Sequence, residues 1–190
     1  MQIKTIKVGE LRTNCYIVSD EETNEGIVID PGFEIEDIMN EIGAIKIKAV
    51  ILTHGHYDHV TEAFHLAETI KVPVMIHEKD EALMVFSTKK TADKTLKDEE
   101  IFTVGPLSFE VILTSGHTGG GICLYNKEEG VLFSGDTLFS RDYGRTDLPG
   151  GSQREMEASL KKLLALPAHT KVYPGHGRTT TIGDEQNLLE

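Results

Sequence analysis

The apolar run Ala49-Val50-Ile51-Leu52 breaks off into Thr53-His54-Gly55-His56-Tyr57-Asp58-His59, and few folds can hold such a junction. Three imidazoles and a carboxylate fall within six positions, directly after a stretch that reads as a buried strand. A strand that stops in a glycine-containing loop delivers several side chains to one crevice, because the loop backbone turns where a strand would alternate faces. α/β proteins build their sites at such strand ends. A purification tag would be terminal and uniform, whereas this cluster is interrupted by Gly55, Tyr57 and Asp58 and lies inside the chain. Its ligand density and spacing predict a metal site.

Three later apolar runs end the same way, each in one potential ligand flanked by small residues. Val111-Ile112-Leu113-Thr114 precedes Ser115-Gly116-His117, Val131-Leu132-Phe133-Ser134 precedes Gly135-Asp136, and Val172-Tyr173 precedes Pro174-Gly175-His176. Glycine lets the backbone approach a crowded centre. The candidates His54, His56, Asp58, His59, His117, Asp136 and His176 are too many for one catalytic ion, which takes about three protein ligands and a water. Two ions sharing a carboxylate are expected, with a water between them that ionises near neutral pH, one ion polarising a carbonyl and the other stabilising the leaving group. Imidazole and carboxylate ligands without thiolate suit zinc, iron(II) or manganese.

At 190 residues and 39% hydrophobic content the chain can bury a substantial core, and a single domain over 1–190 is expected. The net charge of −12 opposes a nucleic-acid surface, which needs a basic face. Divalent ions would offset part of that charge locally, so a small anionic substrate remains compatible. The start MQIKTIKVGE has no apolar leader, and no stretch approaches the roughly 18 apolar residues of a membrane span, so a cytoplasmic location without membrane association is expected. Cys15 and Cys123 lie far apart inside apolar runs and read as small buried hydrophobes.

Residues 2–8 and 13–18 alternate apolar and polar, and 26–30 end at Pro31-Gly32, which predicts antiparallel strands closed by turns. Ile35, Ile38, Met39 and Ile42 recur at helical spacing until Gly43. A strand at 47–53 leads into the ligand loop and a helix over 60–70 leaves it, with Ala63, Phe64, Ala67 and Ile70 on one stripe. A strand at 72–76 ending at His77, a helix from about 79 to 85 and a polar, mobile surface segment at 87–100 follow. Further strands are expected at about 101–104, 107–114, 121–126 and 131–134. Ser152 and Glu155 stand in a capping-box relation ahead of Met156, Leu160, Leu163 and Leu164, and a last strand at 171–173 runs into Pro174-Gly175-His176-Gly177 and a short tail.

THGHYDH, SGHTGG, GDTLF and PGHG, in this order, resemble the motif series of the metallo-β-lactamase superfamily over nearly the whole chain. The resemblance implies an α/β fold, a four-layer αββα sandwich with the site at one edge. It implies a first metal on His54, His56 and His117, a second on Asp58, His59 and His176, and Asp136 bridging them. Gly119-Gly120-Gly121 stands where the commoner pattern has a proline-containing turn. Residues 135–151 and GRTTTIGDEQ are most similar to small glyoxalase II-like (hydroxyacylglutathione hydrolase-like) enzymes. That likeness implies cleavage of a small-molecule thioester such as S-lactoylglutathione with two divalent ions, zinc first and iron or manganese as alternatives. Asp58 would be the catalytic residue that orients the attacking hydroxide. Longer relatives add a C-terminal helical extension with basic glutathione contacts, and no room for one is expected after His176.

Arg141 and Arg145 follow Asp136 closely enough to hold an anionic substrate group, against the competing expectation that Arg145 pairs with Asp142 or Asp147. Tyr57 either lines the pocket or, as is commoner for an aromatic beside a loop, packs beneath it. His65, His77 and His169 have no partner motif and are expected to be structural. GDTLF and GRTD also resemble persulfide dioxygenases, which would place a single iron on His54, His117 and Asp136. A non-enzymatic metal-binding protein is a third class, although storage needs no open water position. RNA processing is disfavoured by charge, and a β-lactam role by the missing export signal.

Overall fold

The computed structural model describes residues 1–189. The alternating N-terminal segments pair as an antiparallel run, β1 (Gln2–Val8), β2 (Thr13–Ser19) and β3 (Glu25–Ile29). From β3 the sheet continues in parallel, because each next strand is reached through a helical crossover. α1 (Ile35–Ile42) leads to β4 (Lys46–Ile51), and α2 (Tyr57–Val60) and α3 (Ala63–Ile70) lead to β5 (Val74–His77). A 3-10 turn at Glu78–Asp80 and α4 (Glu81–Thr88) lead to β6 (Lys94–Leu96), completing six strands in sequence order. The second half adds β7 (Ile101–Val104), β8 (Leu107–Leu113), β9 (Ile122–Asn126), β10 (Val131–Gly135), and a small hairpin, β11 (Leu138–Phe139) and β12 (Asp142–Tyr143). It closes with α5 (Gln153–Leu164), β13 (Lys171–Pro174), β14 (Thr180–Thr181) and α6 (Ile182–Glu185). The second sheet has the order β14-β13-β10-β9-β8-β7.

Strand alternation sorts the buried side chains into three cores. On β2, Cys15 and Ile17 join a core with Ile38 of α1 and Leu66 of α3, while Tyr16 and Val18 face Phe109, Leu124 and Phe133 of the other sheet. On β9, Leu124 faces the first sheet while Cys123 and Tyr125 face Met156, Leu160 and Leu163 of α5. Helix, sheet, sheet, helix is therefore the layer order, an αββα sandwich. The Ser152 hydroxyl caps α5 by accepting from the Glu155 N–H at 3.3 Å. Met156, Leu160 and Leu163 are fully buried, each contributing about 1.5–3 kcal/mol relative to exposure.

Strand direction places the site. The parallel strands β3, β4 and β5 all send their C-terminal ends to one edge, carrying Asp30, Thr53-His54 and the Asp80 turn. β10 and β13 are parallel, and β8 points the same way because two antiparallel pairings separate it from β10. His117, Asp136 and His176 therefore follow strand ends at a common edge of the second sheet.

Several local expectations are corrected. Residues 87–100 are not a mobile surface segment throughout, since β6 pairs with β5 and buries Leu96. The expected helix over 60–70 is two pieces, and Asp58 and His59 lie on α2, a single turn, rather than in a loop. The tail after His176 contributes β14 and α6, whose Ile182 is buried against α5. No helix among the described residues is long and apolar enough to cross a membrane.

Cys15 and Cys123 are free and fully buried, and burial pushes both thiols up, Cys123 to about 12. A thiol-reactive dye added to the native protein at pH 8 is expected to label neither at an appreciable rate, and both on denaturation, because the thiolate is the nucleophile. Rapid native labelling of either would contradict this burial.

Candidate metal centre

The side chains predicted from the four strand ends converge. His54, His56 and His117 offer nitrogens within 4.8 Å of one another, as do the ligand atoms of Asp58, His59 and His176. His54, His59 and Asp136 form a third overlapping group that joins the two. Nδ1 of His56 lies 2.9 Å from Nε2 of His117, and Asp136 stands 3.5 Å from both His117 and His176 and 3.6 Å from His59. Asp136 thus occupies the place between the two triplets that a bridging carboxylate requires.

Whether these residues suit a metal can be judged from what they lack. Nε2 of His54, Nε2 of His59 and Oδ1 of Asp136 are buried with no hydrogen-bond partner. Nε2 of His59 lies 3.3 Å from Oδ2 of Asp58 without the alignment of a hydrogen bond. A buried unsatisfied polar atom costs about 1–3 kcal/mol, so three in one cluster are donors that fit a bound cation. Divalent cations would meet that need, and the nitrogen and oxygen donors suit zinc, iron or manganese.

The electrostatics differ between the two triplets. Burial, and then repulsion from the neighbouring imidazoles, holds His54 well below the usual histidine range, and the same causes lower His56. Both are kept neutral, as a ligand must be. Burial also opposes charge on His59, but Asp136 and Asp30 outweigh it and raise His59 well above its ordinary value. For Asp58, contacts from His176 and His59 and the Thr13 hydrogen bond overcome burial and keep the carboxyl far below the carboxylate range.

The ligands are held by groups the motifs did not single out. Asp30, 1% exposed, accepts from the Thr53 N–H at 2.7 Å and the Thr53 hydroxyl at 2.6 Å, and its Oδ2 is 2.9 Å from Nδ1 of His59. Nδ1 of His117 is 2.7 Å from the Arg145 carbonyl, and Nδ1 of His176 is 3.2 Å from that of Leu11. The Thr13 hydroxyl donates to Oδ2 of Asp58 at 2.7 Å. Asp30 had a visible signal: it ends the apolar run Ile27-Val28-Ile29 before Pro31-Gly32, as Asp136 ends its own run. Asp30→Asn is expected to weaken metal binding by about 10–100-fold, because outer partners fix ring orientation and basicity. Competition against a chromophoric chelator measures it, and unchanged affinity would remove Asp30 from this role.

Glycines beside the ligands allow the close approach. A Cβ on Gly175 would lie 2.2 Å from Oδ1 of Asp136, and one on Gly135, where φ is +48°, 2.6 Å from the Thr53 hydroxyl oxygen.

The other candidates divide. Tyr57 is 54% exposed at the cleft mouth, with its ring edge-on to Phe33, so it lines the opening and is not packed beneath the loop. Arg145 also lines the cleft and pairs with Asp147 through two 2.7 Å hydrogen bonds. Arg141 does not reach the cleft; it lies in a separate depression with Arg178 and Glu185, because the β11–β12 hairpin turns it away. Nδ1 of His77 accepts from the Lys79 N–H, a structural cap, and His65 is exposed beside Glu62.

The metallo-β-lactamase superfamily model matches residues 8–176. A hydroxyacylglutathione hydrolase, GloC of Haemophilus influenzae, is 35% identical, with 98% of this chain and 95% of that protein covered. Among solved structures, BLEG-1, described as a B3 metallo-β-lactamase, is similar with a TM-score of 0.90 at 36% identity, covering 98% of this chain and 97% of that one. TTHA1623 in a di-iron-bound form gives a TM-score of 0.86 at 34% identity over 96% of each chain. A likeness that runs through nearly the full length of both partners, in sequence and in backbone, means that this chain belongs to the metallo-β-lactamase superfamily.

Proposed function

We propose that the protein is a dinuclear-metal hydrolase of small thioesters, with S-lactoylglutathione as the representative substrate. The observation that carries this reading is the convergence of both ligand triplets at the floor of a cleft of about 460 Å³, open to solvent and otherwise walled by Leu11, Tyr57, Arg145 and Leu148. The likeness to GloC supports the thioester, and its 95% coverage means that the protein so named is little longer than this chain. When bound, two divalent ions supply Lewis-acid polarisation of the carbonyl and make water a competent nucleophile near neutral pH.

The chain's own residues do the positioning. Oδ2 of Asp58 gathers Thr13, His59 and His176, leaving Oδ1 to orient the attacking water toward the carbonyl carbon. Leu11, Tyr57 and Leu148 exclude water from the apolar side of the thioester. The Arg145–Asp147 pair is exposed, and such pairs contribute only about 0–1 kcal/mol, so a substrate carboxylate can compete for the guanidinium.

Thiol release from S-lactoylglutathione by protein loaded with zinc, iron or manganese, followed with a thiol-reactive dye, tests the reading. Enzymatic release is expected, and Arg145→Ala is expected to raise KM about two- to ten-fold with kcat little changed. Cleavage of a chromogenic cephalosporin without thioester turnover would favour the BLEG-1 likeness instead. Oxygen consumption with glutathione persulfide would favour the iron dioxygenase.

A further inference from the structure

We infer that two buried side chains outside the ligand set, Asp80 and Asn14, are positioning residues that each fix one half of the metal centre, so that the halves can be loosened separately. The inference rests on the two-ion reading above and assigns how this chain holds its two triplets.

Asp80 is 2% exposed and has no cationic partner among the described residues. Its carboxylate instead accepts three hydrogen bonds from the two segments that carry His54, His56 and His117. The Gly55 N–H, between His54 and His56, donates to Oδ2 at 2.9 Å, the Thr118 hydroxyl, next to His117, donates to Oδ2 at 2.7 Å, and the Gly120 N–H donates to Oδ1 at 2.6 Å. A Cβ on Gly120 would meet the Asp80 backbone nitrogen at 2.5 Å, and one on Gly55 the Asp80 carbonyl oxygen at 2.9 Å, so both segments run against this residue. The Gly119-Gly120-Gly121 stretch therefore takes its shape from Asp80, with no proline needed to set the turn.

Asn14, 2% exposed on β2, does the equivalent for the segment that carries His176. Its backbone N–H donates to the Gly175 carbonyl at 2.7 Å, and its amide Nδ2 donates to the carbonyls of Pro174 at 2.8 Å and Gly177 at 3.2 Å. The Lys7 ammonium orients that amide by donating to Oδ1 at 2.8 Å. Adjacent Thr13 holds Asp58, so one corner of the first sheet grips two ligands of the second triplet. Asp80 makes no hydrogen bond to the His176 segment and Asn14 none to the His54–His56 or His117 segments, among the described residues. Asp30, by contrast, touches both Thr53 and His59 and links the halves.

Isosteric changes test this with cobalt(II), titrated into the metal-free full chain and read by absorption and calorimetry. His176→Ala leaves the first triplet intact and His56→Ala the second, giving two backgrounds. Asp80→Asn is expected to weaken cobalt binding about 10–100-fold in the first background and to leave the second within about three-fold; Asn14→Asp is expected to do the reverse. Cobalt absorption bands that change only in the matching background give a signature that general destabilisation does not. Equal weakening in both backgrounds, or none in either, overturns the inference. A wild-type titration that ends at one ion overturns the two-ion reading and this assignment with it, and is seen before any variant is made. If an isostere fails to fold, as judged by thermal unfolding of the metal-free chain, Asp80→Ser or Asn14→Ser takes its place with the same outcomes.

Discussion

Thioester hydrolysis by the Asp58→Asn protein is expected to fall by about 10²–10⁴-fold, the range for removing a group that positions a proton acceptor or nucleophile in the transition state. Oδ2 of Asp58 lies 2.7 Å from the Thr13 hydroxyl and 3.3 Å from Nε2 of both His59 and His176. An asparagine fills the same space but carries no charge, so Nε2 of His59 and Nε2 of His176 each lose an anion at 3.3 Å, and Asp30 and Asp136 alone remain beside His59. Truncating one side of such an arrangement is costly because the remaining charges lose part of their compensation. Metal content measured by elemental analysis is expected to fall mainly at the second triplet, while the His54, His56 and His117 triplet keeps its ligands. Activity within ten-fold of wild type at full metal content would remove Asp58 from the catalytic role.

The second large effect is expected from Gly175→Ala, a change of one methyl group. The added carbon would stand 2.2 Å from Oδ1 of Asp136, 2.9 Å from Cε1 of His59 and 3.1 Å from the Gly135 carbonyl carbon. None of these is the loose end of a surface side chain. The Gly175 N–H also donates to the Gly135 carbonyl at 2.7 Å, which ties the two segments together across the gap. Either Asp136 or the His176 segment must move, and both carry ligands. Overpacking of this kind costs about 1–3 kcal/mol, which for a chain of this length lowers Tm by about 2–4 °C per kcal/mol. Metal affinity is expected to fall together with Tm. A Gly175→Ala protein with wild-type Tm and full metal loading would show that the segment yields more easily than its contacts imply.

The metal ligands were legible because each ligand-bearing segment follows an apolar run and contains glycine, a pattern that survives without knowledge of where the strands lie. Asp30 obeys the same pattern, but Pro31-Gly32 behind it reads equally well as a simple turn. Arg141 and Arg145 are four residues apart and look equivalent in sequence; the β11–β12 hairpin sends one to a separate depression and leaves the other on the cleft. Short pairings such as β6, β11 and β12 carry too few apolar residues to announce themselves, and they form because a neighbouring strand or turn is already in place.

What the sequence alone determined is therefore the chemistry on offer and most of the strands and helices that carry it. Ligand identity is a property of residue type, and strand or helix is a property of local periodicity, so both can be read along the chain. What only the tertiary structure decided is which distant groups meet. Asp80 comes 25 residues after Gly55 and 40 before Gly120, and Asn14 stands 163 residues before Gly177, yet each closes hydrogen bonds on a segment that holds the metal ligands. Such contacts leave no local signal, because they depend on strand direction and sheet-on-sheet packing, which bring together the ends of six separate segments only once the sandwich has closed.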